Sequence, residues 1–233
     1  RPQPDASLPG VLSKVVQGVG AAATSVKVLG KAGVIRPYSP AVLVRLGLML
    51  REWGTGPAGG FASLAIRHPD AVGIIDERGQ LTWGELHGRS NALARGLAAQ
   101  GVGEGDAVAV MCRNHRGFVE TLSASARLGA QALLLNTGFS GPQLADVMVR
   151  ESGALIVYDE EFAGVVADAR ARIPGLVEVV AWQDDPTPSV DGSDAPLSVE
   201  ALVAAHAGRR PPVPDTPGRV ILLTSGTTGT PKG

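Results

Sequence analysis

From residue 71 onward, short apolar runs alternate with stretches in which apolar side chains recur at helical spacing. Residues 71–76 read as a strand, 77–80 as a turn, and Leu81 and Thr82 as the start of a return strand. Thr82 and Glu85 have capping-box spacing, and Leu86, Ser90, Leu93 and Leu97 then share one helix face, which Gly101 and Gly103 close. Residues 106–111 read as a short strand with no polar face inside it, as expected when both faces are covered. Asn114 is the expected cap of a helix in which Phe118, Leu122 and Ser125 share a face. A strand over 130–135 follows, then a second capping box at Ser140 and Gln143, with Pro142 in the first turn and Leu144, Val147 and Met148 as the apolar stripe. Further strands are predicted over 154–158, 176–181 and 220–223, with helices over 160–172 and 198–206. Residues 183–198 and 209–217 are rich in proline and charge and read as surface connections.

This alternation predicts an α/β fold: βα units in a mostly parallel sheet with helices on both faces, preceded by a helical N-terminal arm. Such sheets bind ligands beyond the carboxyl ends of their strands. Residues 1–55 read as the basic, apolar arm, and 56–233 as the first, incomplete part of a larger N-terminal domain. The chain begins at Arg1 and stops in a loop at Gly233, so it is expected to belong to a longer polypeptide; residues 1–9 lack the apolar run of a secretion signal.

Charge sharpens the picture of the arm. Residues 1–52 carry seven basic and two acidic groups, while the 233-residue chain as a whole has a net charge of −1. The overall balance excludes a globally basic nucleic-acid binder. The apolar run over 41–50 is interrupted by Arg45 and falls short of the roughly 20 residues of a membrane span. Two readings remain for the arm: a helix packed on the domain or on a partner subunit, or one lying in a membrane interface. With 44% hydrophobic and 18% charged residues the chain is expected to fold.

One cysteine, Cys112, precludes an internal disulfide and reads as a small buried hydrophobe after its strand. His68, His87, His115 and His206 lack metal-ligand spacing and suit surface or capping positions. Asp184, Asp185, Asp191 and Asp194 read as solvated loop charges, and Trp83 as a packing anchor.

The candidate chemistry lies at the end of the last strand. Thr224, Ser225, Gly226, Thr227, Thr228, Gly229, Thr230, Pro231 and Lys232 alternate hydroxyls with glycines before a single cation. Glycines let backbone N–H groups approach a phosphate, hydroxyls donate to its oxygens or ligate Mg²⁺, and a lysine neutralises it. The spacing is not that of the Walker A loop, because Pro231 precedes Lys232 and Gly233 follows it.

Residues 224–233 resemble the phosphate loop of the adenylate-forming superfamily: acyl-CoA synthetases, peptide-synthetase adenylation domains and firefly-type luciferases. Residues 81–86, 101–111, 118–136 and 144–158 resemble earlier segments of that family, with Thr137 and Gly138 departing from its usual proline-containing turn. The likeness covers about residues 60–233. It implies ATP-dependent activation of a carboxylic acid to acyl-AMP, then transfer to coenzyme A, assisted by Mg²⁺. Thr224, Ser225, Thr227, Thr228 and Lys232 would hold the β- and γ-phosphates, with Thr224 the Mg²⁺ contact. The family's acyl pocket, ribose-binding aspartate and mobile C-terminal lysine fall beyond residue 233, so no catalytic residue is assigned and the isolated chain is expected to be inactive. The basic arm points to a long-chain fatty acid, to peripheral membrane contact through residues 1–52 and to a cytoplasmic site at the inner membrane surface; a homo-oligomer fits as well. Two alternatives stand beside this: an acyl-AMP ligase or adenylation domain that loads a carrier protein, and a non-catalytic lipid- or nucleotide-binding module.

Overall fold

The computed structural model describes residues 38–184 and 197–223. The chain divides into two compact units, residues 1–43 and 44–233. Helix α1 (Pro40–Trp53) begins with proline at its first position, where no amide hydrogen bond is lost. Helix α2 (Pro57–Arg67) starts the same way and stops at His68, before Pro69. Strands β1 (Val72–Asp76) and β2 (Gly79–Thr82) pair as an antiparallel hairpin. At the start of α3 (Trp83–Ala99) the expected capping box is present: Glu85 N–H donates to Thr82 Oγ1 at 3.2 Å, and Thr82 N–H to Glu85 Oε2 at 2.8 Å.

The βα alternation then runs β3 (Ala107–Met111), α4 (Arg116–Arg127), β4 (Gln131–Leu134), α5 (Gly141–Arg150), β5 (Gly153–Asp159), α6 (Ala163–Arg170), β6 (Val177–Trp182), α7 (Val199–Ala205) and β7 (Val220–Leu222). The five later strands form one wholly parallel sheet in the order β6-β5-β3-β4-β7. All of β3 is buried, and its side chains divide by the two-residue period of a strand. Val108 and Val110 join the core under α3, α4 and α7; Ala109 and Met111 join the core under α5 and α6. Helices therefore cover both faces, as the sequence pattern predicts.

Three local features differ from expectation. The cap of α4 is His115, not Asn114: His115 is extended, and its Nδ1 accepts the Gly117 N–H at 3.1 Å, whereas Asn114 is exposed one residue too early. The helix expected over 160–172 opens as a 3₁₀ turn, Glu160–Phe162, that buries Phe162 against the α6-side core, and it gives out before Pro174. On α4, Phe118 and Leu122 are half-buried, while Glu120, Thr121, Ser123, Ser125 and Arg127 are buried. Helices α2 and α3, β4 and the hairpin surround α4, so polar side chains are enclosed there.

Trp83 is the expected packing anchor. It stacks on Phe61 with ring centroids 6.3 Å apart and lies against the bare Cα of Gly73.

Candidate functional site

The predicted phosphate-binding residues, Thr224 to Lys232, lie outside the described residues, as do Asp185, Asp191 and Asp194. The structure does show how the chain reaches Leu223, the residue before Thr224. β7 pairs in parallel register with β4, Ile221 opposite Leu133 and Leu222 opposite Leu134. Ile221 and Leu223 pack against the core under α5 and α6. Because every strand of the sheet runs the same way, the chain leaves β7 at the edge shared by the carboxyl ends of β3, β4, β5 and β6. At that edge β4 runs into a turn in which Asn136 Oδ1 accepts the Gly138 N–H at 2.9 Å, and Gln143 Oε1 then accepts the Ser140 N–H at 2.9 Å at the start of α5.

The segment feeding β7 is held by a carboxylate and by a close backbone approach. Glu104 accepts the N–H groups of Asp215 at 2.6 Å and Thr216 at 3.1 Å, tying the proline-rich connection to the turn before β3. A Cβ on Gly218 would sit 2.5 Å from Ala130 O and 2.8 Å from Ala126 Cα, so only glycine lets this strand of chain lie on the end of α4. Arg219 O then accepts the Ala132 N–H at 2.8 Å, which opens the β4–β7 ladder.

A cleft of about 490 Å³ opens at the same carboxyl edge, lined by residues at and just beyond the ends of β3, β5 and β6 and by the β1–β2 turn. The connections from β3 and β5 leave toward opposite faces, through α4 and α6, which is the arrangement that leaves a crevice between strand ends. In its floor, His115 Nε2 lies 2.8 Å from Asp159 Oδ1. Since Nδ1 accepts from Gly117, the ring proton is on Nε2 and is donated to Asp159. Asp159 Oδ2 accepts the Arg113 N–H at 2.6 Å. The Arg113 guanidinium forms a two-pronged pair with Glu161, both contacts 2.8 Å. Arg78 lies 4.0 Å over the Trp182 ring.

Among the described residues, Cys112, His115 and Asp159 are the group whose ligand atoms come close enough to hold a metal ion. Their hydrogen bonds are already spent on one another and on backbone. Burial, together with the Asp159 charge, pushes the Cys112 thiol well up, so it stays protonated. The group serves as a brace between β3, α4 and β5, and it cannot work as a nucleophilic pair because both nitrogens of His115 are engaged.

A second polar cluster was not foreseen. The fully buried Arg127 guanidinium bonds Asn91 Oδ1, Ser123 Oγ (3.2 Å) and His87 Nδ1 (3.2 Å). It lies 4.7 Å from the Trp53 ring centroid, and Arg210, paired with Glu52, lies 4.8 Å from the same ring. Burial, with Arg127 and Arg210 beside it, pushes His87 down to about 4, so it is neutral and can accept from Arg127. The only prior signal was the place of Arg127 in a family-like segment; nothing in its neighbours announces burial.

A wholly parallel sheet with helices on both faces, and connections that diverge at its carboxyl edge, defines an α/β domain of the kind that takes ligands at its strand ends. The sequence pattern of the AMP-binding enzyme family matches residues 61–233. The chain is 32% identical over 166 residues to a 2-succinylbenzoate–CoA ligase of Geobacillus kaustophilus, a match covering 71% of this chain and 29% of the relative. It is 28% identical over 173 residues to a fatty acid–[acyl-carrier-protein] ligase of Streptomyces coeruleorubidus, covering 72% of this chain and 30% of that one. The fold is similar to that of an anthranilate CoA ligase solved with anthranoyl-AMP, with a TM-score of 0.64 at 18% identity, covering 76% of this chain and 33% of the other. The chain thus spans about a third of the length of these proteins or less. It belongs to the AMP-binding enzyme family, within the adenylate-forming superfamily.

Proposed function

We propose that this chain is part of an AMP-forming acid–thiol ligase. In the first step a substrate carboxylate attacks the α-phosphorus of ATP, forming acyl-AMP and releasing pyrophosphate. In the second, the thiol of coenzyme A attacks the acyl carbon, forming the thioester and releasing AMP. The observation that supports the reading is the parallel β4–β7 ladder, after which the last described residue, Leu223, stands on the carboxyl side of a doubly covered sheet, with Thr224 next in sequence. The donor set of the segment fits a triphosphate: Thr224, Ser225, Thr227 and Thr228 offer hydroxyls, Gly226 and Gly229 offer unobstructed backbone N–H groups, and Lys232 offers a point charge. Mg²⁺, held by Thr224, would offset phosphate charge. Catalysis of this kind rests on positioning and charge stabilisation, so it requires no protein nucleophile.

The finer reading is a long-chain fatty acid as substrate. The basic, apolar segment over residues 1–52 suits an enzyme that takes its substrate from a lipid surface on the cytoplasmic side of a membrane, and residues 1–55 then form an arm to the domain that begins at 56. Transfer to a carrier protein instead of coenzyme A is the second reading, favoured by the similarity to a fatty acid–[acyl-carrier-protein] ligase.

The test is mass spectrometry of products when the full-length protein meets ATP, Mg²⁺, palmitate and coenzyme A. Palmitoyl-CoA with AMP is the expected outcome. Palmitoyl-AMP without thioester selects the carrier-protein reading. Absence of any acyl-adenylate with palmitate and shorter acids, together with no ATP–pyrophosphate exchange, overturns the proposal.

A further inference from the structure

Helix α1 has an apolar side chain at ten of its fourteen positions, yet it lies at the surface. Its inward face is accounted for: Met49 and Trp53 are buried against Ala58 and Ala62 of α2. The outward side is largely apolar too. Val44 is 62% exposed and Leu48 60%, and Arg51, seven residues after Val44, shares their side of the helix. An amphipathic surface helix would carry polar groups where Val44 and Leu48 stand. Leu48 follows Val44 by four residues, so the two lie side by side along the helix and form a patch.

The charges around that patch have one sign. Arg45 and Arg51 are exposed, and the only acidic residue of α1, Glu52, is half-buried and paired with Arg210. The sequence over residues 1–52 is basic in the same sense. At fourteen residues, α1 is ~21 Å long, short of the ~30 Å hydrocarbon core of a bilayer. Among the described residues no helix is long and apolar enough to cross a membrane. A helix of this length and charge lies in the plane of the interface, its apolar side chains below the headgroups and its arginines among them. A second copy of the chain is a poorer occupant, since a two-fold contact through this face would bring Arg45 and Arg51 of one protomer against those of the other.

We infer that the outward face of α1, centred on Val44 and Leu48 and flanked by Arg45 and Arg51, is a docking surface for anionic phospholipid bilayers. This deepens the proposed function, on whose lipid-derived substrate it rests for its purpose, but its evidence is separate.

The experiment is vesicle co-sedimentation of the full-length protein, using phosphatidylcholine alone and phosphatidylcholine mixed with phosphatidylglycerol. The wild type is expected to bind the mixed vesicles preferentially. Val44→Asn with Leu48→Asn should weaken binding by about tenfold or more, because two apolar insertions are lost. Arg45→Glu with Arg51→Glu should abolish the preference for phosphatidylglycerol. Circular dichroism establishes that each variant is folded, and adenylation of palmitate and of shorter acids is followed in parallel without vesicles. Absence of vesicle binding by the wild type, or equal binding by the folded apolar variant, overturns the inference. So does self-association that the apolar variant abolishes while vesicles remain unbound, since the face then belongs to a second copy. Vesicle binding without any adenylation refutes the enzymatic reading and leaves the docking surface standing.

Discussion

The Asp76 carboxylate is held from three directions, chiefly by Arg116. Arg116 Nη2 lies 2.5 Å from Oδ1 and its Nε 2.8 Å from Oδ2, while its own backbone N–H donates to Oδ2 at 3.0 Å. Oδ1 also accepts the Arg78 N–H at 3.1 Å. One side chain thus ends β1, closes the hairpin turn and anchors the first turn of α4.

The Arg116 guanidinium holds the Asp76 carboxyl at about 2, against an ordinary 3.8. The folded state prefers the ionised form, so the contribution of the pair is complete above the ordinary value and is lost as pH falls from about 4 to about 2. Asp76→Asn leaves the enclosed guanidinium without its counter-charge and should cost about 3 kcal/mol at neutral pH. Denaturant melts across this acid range should show a slope in the wild type that flattens in the variant.

His87 gives the opposite kind of titration. Its folded value is about 4, held down by burial and by the cations Arg127 and Arg210, against 6.5 for a free histidine. Above 6.5 it is neutral whether folded or unfolded and costs nothing. As pH falls from 6.5 to about 4 the unfolded chain binds a proton that the folded chain refuses, and stability declines by about 3 kcal/mol in total. His87→Gln keeps an acceptor for Arg127 and should remove this decline. Stability measured between these pH values checks it, and a wild-type curve that is flat there refutes the neutral assignment.

What could be read from the sequence was what neighbours in sequence decide. The Thr82–Glu85 capping box spans one helical turn, and the unbroken apolar run of β3 announces burial on two faces. The segment 224–232 stands out as a proposed phosphate site because its hydroxyls, glycines and lysine are concentrated in one short run. The supports of the connection that leads to it were not legible. Glu104 meets Asp215 across 111 residues, and nothing in a glycine-rich turn says which distant N–H groups its carboxylate will take. Arg127 carries an ordinary surface residue's identity. It is enclosed because Trp53 supplies an aromatic face and Asn91 and Ser123 supply oxygens, from elements that only the fold brings together. Strand order was likewise out of reach, since the chain returns from β6 past β5, β3 and β4 before β7 pairs with the outer edge of β4.

Gly218 tests whether the connection before β7 positions the loop. Its Cα has backbone atoms of Ala126 and Ala130 where a methyl group would go, and backbone cannot turn aside as a flexible side chain does. Gly218→Ala must therefore displace the chain two residues before β7 begins. The expected result is a modest loss of stability, about 1–3 kcal/mol, with a larger fall in ATP–pyrophosphate exchange by the full-length protein. Glu104→Gln keeps one acceptor oxygen for Asp215 and Thr216 and should be milder in both respects. Equal exchange in the Gly218 variant and the wild type would show that the loop finds its position without this contact.

Lys232 distinguishes charge stabilisation from simple nucleotide affinity. In the proposed first step the bond between the α-phosphorus and its bridging oxygen breaks, and negative charge grows on the departing pyrophosphate. A cation beside those oxygens gains in strength as the charge develops, so it lowers the barrier more than it tightens ground-state binding. Lys232→Ala should reduce kcat for ATP–pyrophosphate exchange by about 100-fold, with a smaller change in KM for ATP. Lys232→Arg keeps the charge but changes its shape from a compact ammonium to a planar fork, so recovery should be partial. If instead KM rises while kcat holds, Lys232 binds both states equally and its role is affinity alone.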